Sequence, residues 1–99
     1  MTRSDEMEKI TDDVLAQFKA RNRIYHDSED YSLKTMLNQS YDAISTTYGD
    51  FDIAKNTRGC ELVFERTRYA LNDSLEYFND NFREDLMNLS FEIAGESDE

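Results

Sequence analysis

The chain has 99 residues, enough for one domain, and its 22 acidic and 11 basic residues give a formal net charge of −11. So acidic a surface argues against ordinary binding to a nucleic-acid backbone, because phosphates and carboxylates repel. One cysteine excludes an internal disulfide, and no run of about 18 apolar residues could cross a membrane. The polar opening MTRSDEMEK carries no apolar signal region, so we expect a protein of the cytoplasm or of a particle assembled there.

The apolar residues recur every three or four positions, which predicts an all-α fold without strands. We expect one domain, 1–99, a small bundle of three to four helices with a long C-terminal helical region and flexible ends at about 1–10 and 94–99. The predicted helices span residues 11–22, 28–48, 57–79 and 82–93.

Short polar residues mark where these helices begin. Thr11 is expected to cap the first helix and Ser28 the second, and Asn56 or Thr57 the third. In each case a side-chain oxygen can accept a hydrogen bond from a backbone N–H of the first turn. In the second helix, Ser40 is small at an inward position, which predicts close approach of another helix.

Gly49 is expected to end the second helix in a left-handed conformation. The short loop that follows, residues 50–56, should direct Phe51 and Ile53 inward. Gly95 is expected to end the last helix, before an acidic, disordered tail.

One apolar line runs through the back half of the chain, from Asn56 to Ile93. Its steps of three, four or seven residues are those of a single helix face. The helix propensity is lowest at Asn79, Asp80 and Asn81, because their side chains compete for backbone hydrogen bonds. We therefore expect a break or bend there. The unbroken phase of the line favours a continuous helix instead. The line consists of Phe64, Leu71, Leu75, Phe78, Phe82, Leu86, Leu89 and Ile93.

No pattern in the chain indicates catalysis, a cofactor or a metal. His26, the single histidine, has no nucleophile in a motif near it. The segment 50–61 resembles a calcium loop in outline, but Ala54 and Lys55 stand where such a loop needs an oxygen ligand and a glycine. We therefore expect a protein that is not an enzyme.

The aromatic residues exceed what one core face can hold. Interfaces favour tyrosine and phenylalanine, so some of these side chains are expected between subunits, with packing inside the monomer as the alternative. They are Tyr25, Tyr31, Phe51, Tyr77 and Phe91.

A charged group lies in the middle of the predicted third helix, around Glu65, Arg66 and Arg68. It is either a solvated face with weak ion pairs or a contact in which an arginine reaches a carboxylate of an adjacent subunit. Both interpretations stay open.

The order and spacing of four segments resemble the small head–tail connector proteins of long-tailed bacteriophages, also called head-completion, adaptor or DNA-packaging proteins. The segments are SLKTMLNQSYDAIS, ELVFERTRYALND, LEYFNDNF and DLMNLS, within a match over about residues 11–93. The matching positions are Leu33, Leu37, Ser40, Ile44, Gly49, Leu62, Glu65, Arg66, Arg68, Tyr69, Asn72, Leu75, Phe78, Asn81, Phe82 and Asp85.

This resemblance implies a virion structural protein at the head–tail interface, found in the host cytoplasm during assembly. Its partners would be its own copies in a ring, usually a dodecamer, the portal protein above and a stopper or tail-completion protein below. Phage DNA would pass through without specific binding, and no membrane would be involved.

Two sets of residues are the candidates for these roles. Interface candidates are Glu65, Arg66, Arg68, Tyr69, Tyr77 and Phe91. Candidates for acids that face the channel, where like charge would keep phosphates from sticking, are Glu76, Asp80, Glu84 and Asp85.

The chain departs from the family in two places. Many relatives have a longer hairpin-like insertion where this chain has only residues 50–56, and some have a proline-containing segment before the last helix, whereas this chain has no proline. Contacts made by those parts are not expected here.

Two other classes compete with this interpretation. An acidic inhibitor that mimics DNA and occupies a host protein's nucleic-acid groove would suit the size and charge, but the acids are interleaved with arginines beside an apolar stripe. A helical regulator or antitoxin would need a basic element, for which only Lys19, Arg21 and Arg23 are available.

Overall fold

The computed structural model describes residues 9–97, and within that range all regular secondary structure is helical, which confirms the predicted fold class. Five α-helices are present in the described range, more than the three to four expected. A single 3-10 turn, Leu75–Tyr77, precedes the fourth. The helices are α1 Asp12–Arg21, α2 Asp30–Tyr48, α3 Thr57–Leu71, α4 Phe78–Asn81 and α5 Arg83–Ser97.

The helices α2, α3 and α5 pack together, with α3 antiparallel to α5. Arg58, near the start of α3, donates to Glu92 near the end of α5, whereas Tyr69, near the end of α3, contacts Phe82 at the start of α5. Helix α1 lies alongside, where Phe18 packs edge-on against Phe64 with 5.5 Å between ring centroids.

A single cluster of buried apolar residues holds these helices together. Its burial supplies the main favourable term in folding. Ile10 belongs to this cluster and is fully buried, although it lies in the segment 1–10 that we expected to be flexible; residues 1–8, 98 and 99 lie outside the described range. The largest fully buried apolar side chains are Ile10, Phe18, Leu37, Val63, Phe78, Leu86 and Leu89.

Two of the three predicted helix caps are confirmed. Thr11 Oγ1 accepts from the Val14 N–H at 3.2 Å, and the Asn56 side chain accepts from the Gly59 N–H at 2.8 Å. Ser28 does not cap, because its hydroxyl lies 3.0 Å from His26 Nδ1 instead. The second helix consequently begins at Asp30, without a side-chain cap.

The third helix was predicted to run from 57 to 79, and this is wrong. It ends at Leu71, where the chain turns through Asp73 at a positive φ of 57°. The Ser74 N–H donates back to the Tyr69 carbonyl oxygen at 2.9 Å, which closes the turn. Since the apolar line has the same spacing on both sides of this turn, its phase gives no sign that the helix stops.

The break expected around residues 79–81 is present as a second interruption. Helix α4 ends at Asn81, Phe82 has φ −117° and ψ 21°, and α5 begins at Arg83. The last helix thus starts one residue later than predicted. It continues to Ser97, so Gly95 does not end it.

Gly49 ends α2 as predicted but in a different conformation. Its φ of 117° is positive, while its ψ of 155° is extended rather than left-handed helical. An added Cβ would lie 2.9 Å from Ile93 Cγ2, so the glycine also allows α2 to approach the end of α5. The predicted inward packing of Phe51 and Ile53 is confirmed, since each is 5% exposed.

Candidate interaction surface

Helix α5 carries apolar side chains on two of its sides. Leu86 and Leu89 are fully buried against the rest of the bundle. On the other side Met87 is 49% exposed and Phe91 is 66% exposed, four residues apart and therefore adjacent on the helix. A shallow depression of about 520 Å³ surrounds these two residues and is lined also by Asp80, Asn81, Arg83, Glu84 and Asn88.

More large apolar side chains are exposed along the turn between α3 and α4. Leu71 is 43% exposed, Leu75 37% and Tyr77 58%. Of the other aromatics that the sequence placed between core and interface, Tyr25 and Tyr31 are more than 80% exposed and Phe51 belongs to the core. Large contiguous apolar exposure is typical of surfaces that bind another molecule.

A groove of about 850 Å³ lies between the first turns of α3 and the helix α5. Its apolar lining residues are Leu62, which is 3% exposed, and the half-buried Phe82. The remaining lining residues are polar or charged: Lys55, Asn56, Thr57, Arg58, Glu61, Glu65, Asp85 and Glu92.

Three arginines of the same chain pair with the four acids of this groove. Arg58 donates to Glu92 at 2.7 Å and to Asp85 at 3.4 Å, and the bond to Glu92 raises the pKa of Arg58. Arg68 donates to Glu65 Oε1 at 2.6 Å from the next turn of α3. Two interface candidates, Glu65 and Arg68, therefore pair with each other.

Glu61, the fourth acid of the groove, forms a two-pronged pair with Arg21 of α1. The two guanidinium nitrogens donate to the two carboxylate oxygens at 2.7 and 2.6 Å. This hydrogen bonding lowers the pKa of Glu61 from its ordinary 4.5 and raises the pKa of Arg21. Such a planar pair fixes α1 against α3.

The Arg21–Glu61 pair should make part of the free energy of unfolding depend on pH. A carboxyl whose pKa is lowered by folding stabilises the protein above its unfolded pKa, and this stabilisation is lost as pH falls through the folded pKa. Glu61→Gln should lower the free energy of unfolding by up to about 1 kcal/mol near neutral pH, because both partners are partly exposed to solvent.

Urea titrations at a series of pH values check this prediction. The difference between Glu61→Gln and wild type should disappear at acid pH, below the folded pKa of Glu61. The matched control, Glu76→Gln, removes an exposed acid that forms no ion pair with any residue from 9 to 97, and it should follow wild type throughout. A Glu61→Gln deficit that stays constant on acidification would contradict the assignment.

Arg66 is half-buried and, within residues 9–97, forms no ion pair. One guanidinium nitrogen lies 3.3 Å from Ser40 Oγ, and the Ser40 and Thr67 hydroxyls lie 3.0 Å apart. Thr67 Oγ1 also lies 2.9 Å from the Val63 carbonyl oxygen, which can only accept. The single hydroxyl proton of Thr67 is therefore donated to Val63, and Ser40 donates to Thr67. Desolvation lowers the pKa of Arg66.

This hydrogen-bonded chain joins α2 to α3. Ser40 is 1% exposed and Thr67 is fully buried, which confirms that the small Ser40 marks the close approach of another helix. Arg66 therefore hydrogen-bonds within its own chain, and some of its guanidinium N–H groups remain available to a further partner.

Tyr69, another interface candidate, packs within its own chain. Its ring meets Phe78 and Phe82 edge-on at 5.8 and 5.7 Å between centroids, and its hydroxyl accepts from Asn81 Nδ2 at 2.9 Å. Tyr77 and Phe91 are the interface candidates whose rings are mainly exposed.

The four channel candidates separate into two kinds. Asp80 pairs with Arg83 at 2.8 Å and Asp85 pairs with Arg58. Glu76 and Glu84 are exposed and form no ion pair in the described part of the chain.

Sequence reasoning missed Met87 and the groove. Met87 could have been found, because it precedes Phe91 by four residues and thus marks a second apolar line on the last helix. The groove had no such signal, since Arg58 and Glu92 are 34 residues apart.

The described residues contain no group of three or more His, Cys, Asp or Glu side chains that could together hold a metal ion. No helix among them is long and apolar enough to span a bilayer. Comparison with known protein families, curated proteins and solved structures finds no match to this chain.

Proposed function

We propose that this chain is a virion structural protein, a head–tail connector subunit that forms a ring beneath the portal, extends the DNA channel and gives the tail or a stopper protein its docking surface. The observation that carries the proposal is the two-sided helix α5. One side completes the core, and the other presents Met87 and Phe91 to solvent. A ring subunit needs such a second surface, because each copy must contact two neighbours.

The charge of the protein supports a place beside DNA without attachment to it. The net charge is −11, and Glu76 and Glu84 are exposed carboxylates without an ion-paired base in the described range. Like-charged walls allow DNA to slide, because phosphates find no counter-charge to bind. Asp80 and Asp85, which are paired with arginines, are weaker candidates for that wall.

The alternative, an acidic mimic of DNA, is supported by the same net charge and weakened by the ion pairs. A mimic must offer carboxylates to a basic groove in place of phosphates. The four acids of the α3–α5 groove are instead engaged by Arg21, Arg58 and Arg68 of the same chain.

The proposal is tested in the phage that encodes this chain, by removing the gene and examining the particles by electron microscopy. We expect heads that package DNA but do not join tails and then lose the packaged DNA. Supplying the protein from a plasmid should restore joined particles, which controls for effects on neighbouring genes.

Joined, infectious particles without the protein would contradict the connector. A companion experiment distinguishes the mimic: the purified chain is mixed with the portal protein of the same phage and with host nucleases. Co-elution with the portal supports the connector, whereas a stable complex with a nuclease supports the mimic.

A further inference from the structure

The outward side of α5 and the α3–α5 groove lie on different sides of the same helix. At about 100° per residue, Met87 and Phe91 lie roughly 130° around the helix axis from the residues that α5 gives to the groove. One chain therefore cannot fill its own groove with its own apolar pair. Two unlike surfaces on one subunit are what a head-to-tail contact between copies requires.

Each of the two surfaces contains apolar side chains. The apolar pair is a compact patch, one helical turn long, with an aromatic ring at one end. The groove has a volume of about 850 Å³, and its apolar lining residues are the buried Leu62 and the half-buried Phe82. An aromatic side chain that enters such a site from a partner supplies much of the energy of an interface.

Each of the two surfaces has one charged side chain that forms no ion pair in the described range, and the two have opposite signs. In the groove three arginines pair with the four acids, since Arg58 is shared by Asp85 and Glu92, and Lys55 forms no ion pair with any of the described residues. With Lys55 counted, these charges balance. Beside the apolar pair, Asp80 is paired with Arg83, and Glu84 forms no ion pair within the described range. Lys55 in the groove and Glu84 beside the apolar pair are thus a base and an acid that are each left without an ion pair in the described range.

We propose that copies of this chain associate head to tail, with Met87 and Phe91 of one copy in the α3–α5 groove of the next and Glu84 opposite Lys55. The inference rests on the proposed function, because a repeated contact of this kind closes into a ring when its rotation permits. Glu84 then lies at the contact, which leaves Glu76 as the unpaired acid for the channel wall.

Charge reversal tests the contact without disturbing the fold, because neither Lys55 nor Glu84 has an ion-paired partner to lose in the described part of the chain. Sedimentation velocity over a wide range of protein concentration measures self-association. Lys55→Glu alone and Glu84→Lys alone should each weaken it about tenfold or more, since an attraction becomes a repulsion. The chain with both reversals should associate like wild type.

Mixing the two single variants gives the sharper result. In an alternating assembly every contact is matched: the unaltered Lys55 of one variant meets the unaltered Glu84 of the other, and the two reversed charges meet at the next contact. The equimolar mixture should therefore associate like wild type although neither variant does so alone. Arg23→Glu, a reversal of an exposed base outside both surfaces, is the matched control and should leave association unchanged.

The outcomes separate this contact from the proposed function. A wild-type chain that stays monomeric, single reversals without effect, or a mixture that fails to recover would each overturn the contact. The gene-removal experiment is independent of all three. Particles that need the protein while the reversals have no effect would mean that the ring closes through another surface.

Discussion

Replacement of Phe78 by alanine should lower the free energy of unfolding by about 3–5 kcal/mol, the usual cost of removing a buried phenylalanine. Phe78 is 2% exposed, stacks on Phe82 at 5.0 Å between centroids and meets Tyr69 edge-on. It thereby closes the corner between α3 and α5. A domain of this size has only about 5–15 kcal/mol of stability in total, so much of the folded population should be lost on mild heating.

Phe91→Ala is the matched control for this prediction, because it removes the same side chain from a site that is 66% exposed. Urea unfolding at low protein concentration should show wild-type stability for Phe91→Ala and a large loss for Phe78→Ala. Equal losses in the two variants would contradict the placement of these rings. The exposed ring should matter for association instead, through the contact proposed above.

The second large effect is expected for Gly59→Ala, in the first turn of α3, which should lower the free energy of unfolding. A Cβ at this position would lie 2.4 and 2.5 Å from two ring atoms of Phe51. The Phe51 ring cannot move aside easily, since it is buried against Tyr41 at 4.9 Å and the Phe51 carbonyl oxygen accepts from the Tyr41 hydroxyl. Overpacking of this kind costs about 1–3 kcal/mol, which should exceed the gain of about 1 kcal/mol in helix propensity.

Gly95→Ala provides the control within the same chain. Gly95 also lies in a helix, but nothing stands within 4 Å of an added Cβ, so alanine should stabilise slightly. Thermal unfolding of the two variants should thus shift in opposite directions. In a Phe51→Ala background the penalty at Gly59 should vanish, and a penalty that persists there would mean that the clash is not its cause.

The sequence was sufficient where the structure depends on neighbours along the chain. The caps at Thr11 and Asn56 follow from the reach of a short side chain to its own first turn, and the stop at Gly49 follows from the residue that tolerates a positive φ. The apolar periodicity identified most of the core, including Phe64, Leu86 and Leu89. These features need no knowledge of what lies across the bundle.

The candidate interaction surface was harder to predict from the sequence than the helix starts and the core were. Of the interface candidates, Phe91 and Tyr77 are mainly exposed, whereas Tyr69 packs inside its own chain and Arg68 pairs with Glu65. A helix face shows which residues share a side, but only the packed bundle shows whether that side has a neighbour. Ser28 illustrates the same limit on a smaller scale, since a contact with His26 replaced the expected cap.

By itself the sequence determined the all-α class, the first two helices, the acidity of the surface and two helix starts, because all of these arise from local propensity and composition. The tertiary structure decided where the long apolar stretch breaks, because the turn at Asp73 lets Phe78 fold back onto Tyr69 and Phe82, and burial of that ring outweighs the continuous periodicity. It also decided which charges remain unpaired at the surface. Arg58 reaches Asp85 and Glu92 only because α3 and α5 lie side by side, and that proximity is a property of the packed chain rather than of any segment of it.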